Sequence, residues 1–425
     1  MPEHTQSDQQ RRGRVWWADP MVIAVNALGI TQITAWGTSY YCLGVLAKPI
    51  VAETGWAMST VFLGFSVALL VMGFISTWVG YLIDRMGARA VMTIGTIIVS
   101  GGLLALSQVR DPASYWAVWA VLGLGMRCCL YDAAFAALVQ VTPTRGRTAI
   151  SYLTLYGAYA STVFWVIGHY LNEVYGWRGT LMIFAAIHLT VCLPLNWVGL
   201  SRREAAGDPA TARPGPASLD GPVLQGRMRT VGMILFALIM SINGFVFGVV
   251  SLQLVPLLEA AGLASATAVW VASLKGHGQC TGRLLEIFLG RNLKAMTIAR
   301  IAIGGVPVAW LLFLLAGGEF WRLVVFTLLL GASQGVITIV RGAVPLALFG
   351  AQGYGAVLGL IATPILLVNA FSPALFALAI DRLGQPLSLY MLLGCSIVTW
   401  VAIELMSRWY ENAQQQGEND SITAR

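Results

Sequence analysis

A series of twelve apolar stretches, each about 20 residues long and separated by short polar breaks, limits the folds that this chain can adopt. A helix that crosses a bilayer needs roughly 20 mostly apolar residues. Hydrophobic residues make up 57% of the chain and charged residues 11%, whereas soluble domains carry roughly 25% charged residues. This leaves too little polar surface for a soluble globule. We therefore predict an all-α integral membrane protein with twelve transmembrane helices in a lipid bilayer.

The basic residues define a predicted orientation. The net charge is +7, but the Lys and Arg residues lie at the ends of apolar stretches instead of forming one patch, so we expect no nucleic-acid partner. Most of the 26 Lys and Arg residues fall in the tails and in the loops after even-numbered helices. The positive-inside rule then places both termini in the cytoplasm. We expect a monomer in a bacterial-type inner membrane.

The longest polar break divides the chain into two halves. It is rich in Pro, Gly and Ala, a composition typical of flexible linkers. An internal repeat supports the division, because the segment 80–84, ending in Asp84, matches the segment 282–286, ending in Glu286, and Arg89 falls opposite Arg291. The predicted organisation is an N-terminal tail 1–20, a six-helix bundle 21–200, a cytoplasmic linker 201–229, a second six-helix bundle 230–408 and a C-terminal tail 409–425.

The loop after the second helix carries the most specific motif. Residues 80–89 read GYLIDRMGAR, which resembles the signature loop G-x-L-x-D-R-x-G-R-R of the major facilitator superfamily. Ala88 stands where that motif usually has a basic residue. The resemblance implies the major facilitator fold, in which two pseudo-symmetric six-helix bundles rock around a midplane site. It also implies a conformational role for the motif and its repeat: Gly80, Asp84, Arg85, Gly87, Arg89, Glu286 and Arg291.

The resemblance implies a secondary transporter and not an enzyme. The chain has no GxxxxGK[ST] loop that would bind a nucleotide phosphate, so we expect coupling to protons or to an exchanged solute, with no cofactor. The ionisable residues inside the helices and the composition of the first helix resemble most the oxalate/formate antiporter and monocarboxylate transporter-like branch of the superfamily.

Ionisable side chains inside the helices indicate the solute. Each costs roughly 2.5–3.5 kcal/mol at the bilayer centre. Three embedded cations, Arg127, Lys275 and Arg341, exceed the main embedded acid, Asp132, and a small organic anion would balance the excess. Arg127 and Asp132 are five residues apart and would point about 140° apart on one straight helix. We therefore expect Asp132 to pair with a cation from another helix, while a structural role for these arginines is the alternative.

Polar side chains without charge complete the predicted site. Gln32, Trp36 and Tyr40 recur at i, i+4 and i+8 on the first helix, so they share one face. Asn243 occupies a comparable position in the second half. We expect these four to contact the solute, although such a stripe also forms by simple packing. Asp132 and His277 are the candidate proton carriers, and a buried structural histidine is the alternative for His277.

Cysteine usage raises a rival function. The six cysteines show no CxxC or Cys/His metal spacing, so we predict no metal site. The adjacent Cys128 and Cys129 beside Arg127 suggest an efflux transporter for a trivalent metalloid or a drug. Free cysteines also behave as small buried hydrophobes, and the fifth helix lacks the Gly-Pro pattern of drug antiporters in this superfamily. A membrane sensor is a weaker alternative, because the chain has no sizeable soluble domain.

Overall fold

The computed structural model describes residues 18–204 and 222–423. The described residues of the first half fold into nine α-helices. In chain order they are α1 (Pro20–Ala35), α2 (Leu43–Thr54), α3 (Met58–Met86), α4 (Ala88–Leu106), α5 (Pro112–Cys129), α6 (Tyr131–Val141), α7 (Gly146–Ala158), α8 (Ala160–Ile187) and α9 (Leu193–Gly199).

The described residues of the second half contain six helices of at least 20 residues each. These are α10 (Gly226–Ala260), α11 (Ser265–Leu289), α12 (Ala295–Leu314), α13 (Phe320–Phe349), α14 (Tyr354–Leu383) and α15 (Gln385–Thr423). Helix α15 continues into the segment predicted as a C-terminal tail. The predicted N-terminal tail up to residue 17 and the linker residues 205–221 lie outside the described residues.

Within the described ranges, ten helical stretches are long and apolar enough to cross a bilayer. One of them, Gly146–Gly199, is 54 residues long. Gly176 interrupts it with φ 68° and ψ 173°, a backbone conformation that is essentially restricted to glycine. Helix α11 is long enough at 25 residues but is more polar. With one pass on each side of Gly176 and one more for α11, the described helices are consistent with the twelve predicted.

Contacts at both ends of Gly146–Gly199 show that its two parts run in opposite directions. Arg145, just before α7, pairs with Asp19 at 2.7 Å, and Gly199, at the end of α9, packs against Ala27. Arg178, just after the interruption, pairs with Glu53 at 2.8 Å at the far end of the first pass. We call the two ends of the molecule the Asp84 side, where α3 ends, and the Glu53 side.

Three passes are irregular at their centres. The first contains a π-helical turn at Trp36–Tyr40 and the sixth one at His188–Cys192. The Thr38 hydroxyl and His188 Nε2 lie 2.8 Å apart and join these two turns. The fourth pass breaks at Leu130, whose ψ of −169° separates α5 from α6. Such local irregularities often mark functional positions in helices.

The two halves pack together through their glycines on the Asp84 side. A Cβ atom at Gly80 of α3 would overlap the carbonyl oxygen of Gly355 at the start of α14, and one at Gly359 would overlap that of Ser76. Only glycine permits this approach of two backbones. The described hydrogen bonds between the halves all lie between the middle of the molecule and the Asp84 side. The cavity between the halves is therefore closed on that side.

Candidate functional site

A cavity of about 130 Å³ lies at the middle of the molecule between the two halves. Its lining comes from both halves: Trp36 and Tyr40 from the first pass, Asp132 from α6, and Arg341 from α13. A midplane position between two bundles is where secondary transporters bind their solutes. The residues around it are therefore the candidate site.

Asp132 and Arg341 connect the two halves at this cavity. Arg341 donates a hydrogen bond from its guanidinium to Asp132 Oδ2 at 2.7 Å. The carboxylate is 8% exposed and the guanidinium 23%. This agrees with the expectation that Asp132 pairs with a cation on another helix.

Arg127 also reaches Asp132, and the expectation that they point apart was wrong. Arg127 lies 3.6 Å from the same carboxylate oxygen. The straight-helix assumption fails because the chain leaves helical geometry at Leu130. The sequence between Arg127 and Asp132 contains no Pro or Gly that would have indicated this break.

Arg127 lies behind Asp132 and is absent from the cavity lining. Its side chain is 2% exposed and donates from Nε to the Ser76 hydroxyl at 2.7 Å. Ser76 belongs to α3, so this arginine ties α5 to α3 and holds Asp132 from the side away from the cavity. Its position suits a residue that orients Asp132 better than one that contacts a solute.

Arg283 lines the cavity although the sequence placed it in the repeat motif. Its side chain is 3% exposed and donates to two carbonyl oxygens, that of Thr154 at 2.6 Å and that of Gly335 at 3.2 Å. No carboxylate pairs with it in the part of the chain that the structure describes. Arg283 and Arg341 line the cavity and Arg127 lies behind Asp132, whereas Asp132 is the single carboxylate in the lining, so the cavity carries a positive excess.

Lys275 lies one layer outside the lining. Its ammonium group sits 5.4 Å from the centroid of the Phe247 ring, and Phe247 lines the cavity. Lys275, Gln279 and Arg283 are spaced at i, i+4 and i+8, so one face of α11 is directed toward the cavity. His277 is exposed and is not a lining residue, because two residues rotate it about 200° from Lys275.

The three residues of the stripe on the first pass, Gln32, Trp36 and Tyr40, have two different positions. Trp36 and Tyr40 line the cavity, as does Asn243 on α10. Gln32 is fully buried. It donates to the Cys129 carbonyl at 2.7 Å and accepts from the Trp36 indole at 3.1 Å. Gln32 therefore positions Trp36 and does not line the cavity.

Several lining residues were missed by the sequence interpretation. They include the amides of Gln279, Gln334 and Asn369, and the phenol of Tyr131. The spacing of Gln334, Thr338 and Arg341 at i, i+4 and i+7 on α13 was a usable signal, since it places three polar groups on one face of an otherwise apolar helix. Tyr131 gave no such signal, because its orientation depends on the break at Leu130.

Asp84 joins the two halves at the closed side. Its carboxylate accepts hydrogen bonds from the backbone N–H groups of Gly355 at 2.9 Å and Ala356 at 2.7 Å. These groups lie at the N-terminus of α14, where the helix dipole favours a negative charge. Asp84 is thus a cap supplied by one half to a helix of the other.

The remaining motif residues shape the turn between α3 and α4. Gly87 adopts φ +86° between the two helices, which explains the glycine. Arg89 stacks on the Trp197 ring at 3.9 Å, and Arg85 is exposed. Gln140, which the sequence interpretation missed, accepts from the Ala88 N–H at 2.9 Å and donates to the Ile83 carbonyl at 3.2 Å.

The repeat motif forms a related contact in the second half. Glu286 faces Ser151 and Arg147 in the first turns of α7, much as Asp84 faces the start of α14. Arg147 donates to the carbonyl oxygens of Gly290 at 3.3 Å and Leu293 at 2.8 Å. The side chain of Arg291 lies outside the described residues.

The vicinal cysteines do not line the cavity. Cys128 is 5% exposed and Cys129 3%, and Cys128 packs against Gly95. No group of three His, Cys, Asp or Glu residues with metal-binding geometry occurs among the described residues. Their positions therefore give no support to a thiol ligand for a metalloid.

Comparison with known sequences decides the family. The sequence model of the Major Facilitator Superfamily matches residues 29–321. The chain belongs to this superfamily. The resemblance of the signature loop is thereby confirmed, as is the prediction of a membrane-spanning major facilitator transporter.

Within the superfamily, the chain is similar to monocarboxylate transporters at low identity. It is 23% identical to monocarboxylate transporter 4 of Rattus norvegicus over 343 residues, 77% of this chain and 70% of that protein. It is 29% identical to human monocarboxylate transporter 6, over 26% of this chain and only 22% of that protein. It is also 24% identical to an uncharacterised transporter, YcxA, of Bacillus subtilis, over 47% and 49% of the two chains.

Solved structures of the superfamily share the fold. The human organic anion transporter MFSD10 superposes with a TM-score of 0.69 at 15% identity, covering 91% of this chain and 99% of that one. The transporter FucP in its outward conformation gives 0.68 at 11% identity with the same coverage. At these identities the similarity establishes the fold alone.

Proposed function

We propose that this major facilitator transporter moves a small organic anion, monocarboxylate-like in character, by alternating access. The observation that carries the proposal is the placement of Arg283 and Arg341 on one cavity. A buried cation needs a compensating negative charge. Asp132 supplies one negative charge for three arginines, and a bound carboxylate would supply the next.

Arginine suits such a solute because its planar guanidinium matches a carboxylate with two parallel hydrogen bonds. Arg283 uses part of its donor set on the Thr154 and Gly335 carbonyls, which fixes its orientation. We propose that Arg283 and Arg341 bind the anion, with Trp36, Tyr40 and Asn243 around its body. Lys275 then attracts the anion from the Glu53 side.

The named relatives support this class of solute. Two of them are monocarboxylate transporters, and one structural neighbour is an organic anion transporter. Their solutes are properties of those proteins, and the low identities leave the individual solute of this chain open. The shared chemistry is a carboxylate or a similar small anion.

We further propose that Asp132 carries the coupling proton. Arg341 pairs with Asp132 at 2.7 Å, so protonation of the carboxylate would free the guanidinium for the anion. Arg127 holds the aspartate in place from behind at 3.6 Å. In an exchange of one anion for another, the Arg341 guanidinium would be released from Asp132 in the same way, with no net movement of protons across the membrane. His277, which is exposed away from the lining, is a weaker candidate for this role.

The arrangement of the halves suits one end state of the cycle. With both termini in the cytoplasm, as the basic residues predict, the closed Asp84 side is cytoplasmic and the cavity faces outward. Opening toward the cytoplasm requires the Asp84 cap on α14 and the Arg147 contacts with residues 290 and 293 to separate.

A ligand-stabilisation screen tests the proposal. Purified protein in detergent is heated with small carboxylates at equal ionic strength, and the midpoint Tm is compared with that in chloride. We expect at least one carboxylate to raise Tm in the wild type and to have little effect in Arg341→Gln. Arg382→Gln, which removes an exposed cation, is the matched control and should respond like the wild type. An absence of stabilisation by any carboxylate would refute the proposal.

A further inference from the structure

The wall of the cavity is aromatic. Six rings line it: Trp36, Tyr40, Tyr41, Tyr131, Phe135 and Phe247. The Trp36 ring centroid lies 4.8 Å from that of Tyr40 and 5.0 Å from that of Tyr131. Tyr131 in turn stacks on Phe135 at 5.2 Å and 15°. Such surfaces favour a planar apolar body, which meets their faces and edges. A solute as small as acetate would leave most of this surface unused.

Three polar atoms of the lining have no partner. The Tyr131 hydroxyl, Asp132 Oδ1 and Gln334 Oε1 are buried and make no hydrogen bond with any described residue. Buried polar atoms in proteins are nearly always hydrogen-bonded. Carboxylate and amide oxygens only accept hydrogen bonds. A solute that satisfies this cavity must therefore bring a hydrogen-bond donor besides its negative charge.

One of the three unpartnered atoms, Gln334 Oε1, belongs to a residue that is separated from Arg341 along α13. Gln334 and Arg341 are seven residues apart and share one face of the helix. At 1.5 Å per residue this places Gln334 about 10 Å from Arg341 along the helix axis, toward the Glu53 side. The six aromatic rings line the same cavity as Gln334 and Arg341. The three features together describe a solute with a charged end, a planar middle and a donor at the opposite end.

We propose that the cavity is built for a hydroxylated aromatic carboxylate. Its carboxylate binds Arg341 and Arg283, its ring lies among the aromatic side chains, and its hydroxyl donates to Gln334 Oε1. This inference rests on the proposed function, because it specifies the body of the anion that the arginines hold. It excludes the simplest short-chain acids as preferred solutes.

A series of four probes tests the inference on purified wild-type protein. 4-Hydroxybenzoate, benzoate, cyclohexanecarboxylate and acetate share the carboxylate and differ in ring planarity and hydroxyl donor. We expect a Kd for 4-hydroxybenzoate at least tenfold below that for benzoate, and a Kd for benzoate at least tenfold below those for cyclohexanecarboxylate and acetate. Titration calorimetry measures all four under one buffer condition.

Two variants assign the hydroxyl preference to the unpartnered atoms. Gln334→Leu should remove most of the tenfold preference for 4-hydroxybenzoate over benzoate while changing the benzoate Kd by less than twofold. Tyr131→Phe keeps the ring and should retain the benzoate affinity. Gln352→Leu, at an exposed loop position, is the matched control with wild-type preferences. If a variant does not fold, the four Kd values of the wild type still test the preference for a hydroxylated aromatic carboxylate.

The outcomes separate this inference from the proposed function. If acetate binds and the ring compounds neither bind nor compete, the aromatic preference is refuted while anion transport stands. If benzoate and 4-hydroxybenzoate bind equally, the assigned role of Gln334 is refuted. If no carboxylate binds at all, both the inference and the proposed function fail.

Discussion

Arg341 of α13 and Asp132 of α6 meet at 2.7 Å across the boundary between the two halves of the transporter. Both residues also line the central cavity. The pair therefore links the candidate site to the relative position of the two halves. Any ligand or proton that competes for either partner acts directly on this link.

Replacing Asp132 tests its proposed role as proton carrier. In Asp132→Asn the side chain no longer titrates, so we expect proteoliposomes to lose uptake driven by a pH gradient while exchange of anions across the membrane continues. Asp381→Asn changes an exposed carboxylate and should behave like the wild type. Gradient-driven accumulation by Asp132→Asn would exclude Asp132 from proton coupling.

We expect the hydrogen bonds of Asp84 to the N-terminus of α14 to stabilise the closed arrangement of the two halves on the Asp84 side. Asp84→Asn retains one acceptor but loses the charge at the N-terminus of α14, a change of about 1 kcal/mol for helix caps. We expect backbone amides at residues 355 and 356 to exchange with deuterium roughly fivefold faster, since 1.4 kcal/mol corresponds to about tenfold. Hydrogen exchange followed by mass spectrometry measures this. Unchanged exchange would show that the cap does not hold the halves together.

Gly176 is expected to tolerate no side chain. Its φ of 68° and ψ of 173° lie in a region where other residues incur strain of about 1–3 kcal/mol. Gly176→Ala should therefore lower Tm by several degrees. Gly101→Ala is the matched comparison, because Gly101 is helical with open space around its Cβ position and alanine there gains about 0.5–1 kcal/mol. Equal effects of the two substitutions would contradict the assigned turn.

We expect the local stability of the first turn of α5 to depend on pH, because its cap, Asp111, is a titratable group outside the membrane-spanning segments. It caps α5 by accepting from the Ser114 N–H at 2.9 Å, and this hydrogen bond lowers the pKa of the Asp111 carboxyl below its usual value. The stabilisation is complete above the usual pKa of about 3.9 and is lost as the pH falls through the lowered value. Amide exchange at Ser114, corrected for its intrinsic pH dependence, should accelerate in that window. Asp111→Asn, an uncharged cap, should show no such change.

Much of the fold could be predicted because the bilayer imposes a simple rule on sequence. Each pass must be long and apolar, so the twelve helices and the signature loop were visible without tertiary information. The glycine at position 87 was likewise readable from the motif. Irregularities inside a pass were not visible, because neither Leu130 nor the π-helical turn at Trp36–Tyr40 carries a Pro that would mark it.

The site was only partly predictable for the same reason. Asp132, Arg341, Trp36 and Tyr40 were identified because polar and aromatic groups are unusual inside apolar helices, and all four line the cavity. Arg127 was expected at the solute and lies behind Asp132, since the break at Leu130 redirects the chain. Arg283 was assigned to the repeat motif, and only the packing of the halves brings its guanidinium to the cavity.

We propose that the buried positive excess around Arg283 binds the transported anion. The most direct test is flux of a labelled carboxylate, chosen by the stabilisation screen, into proteoliposomes preloaded with the unlabelled compound. We predict saturable uptake by the wild type and by Arg382→Gln, and at least a tenfold reduction in Arg283→Gln. Uptake by Arg283→Gln equal to that of the wild type would show that Arg283 does not bind the anion.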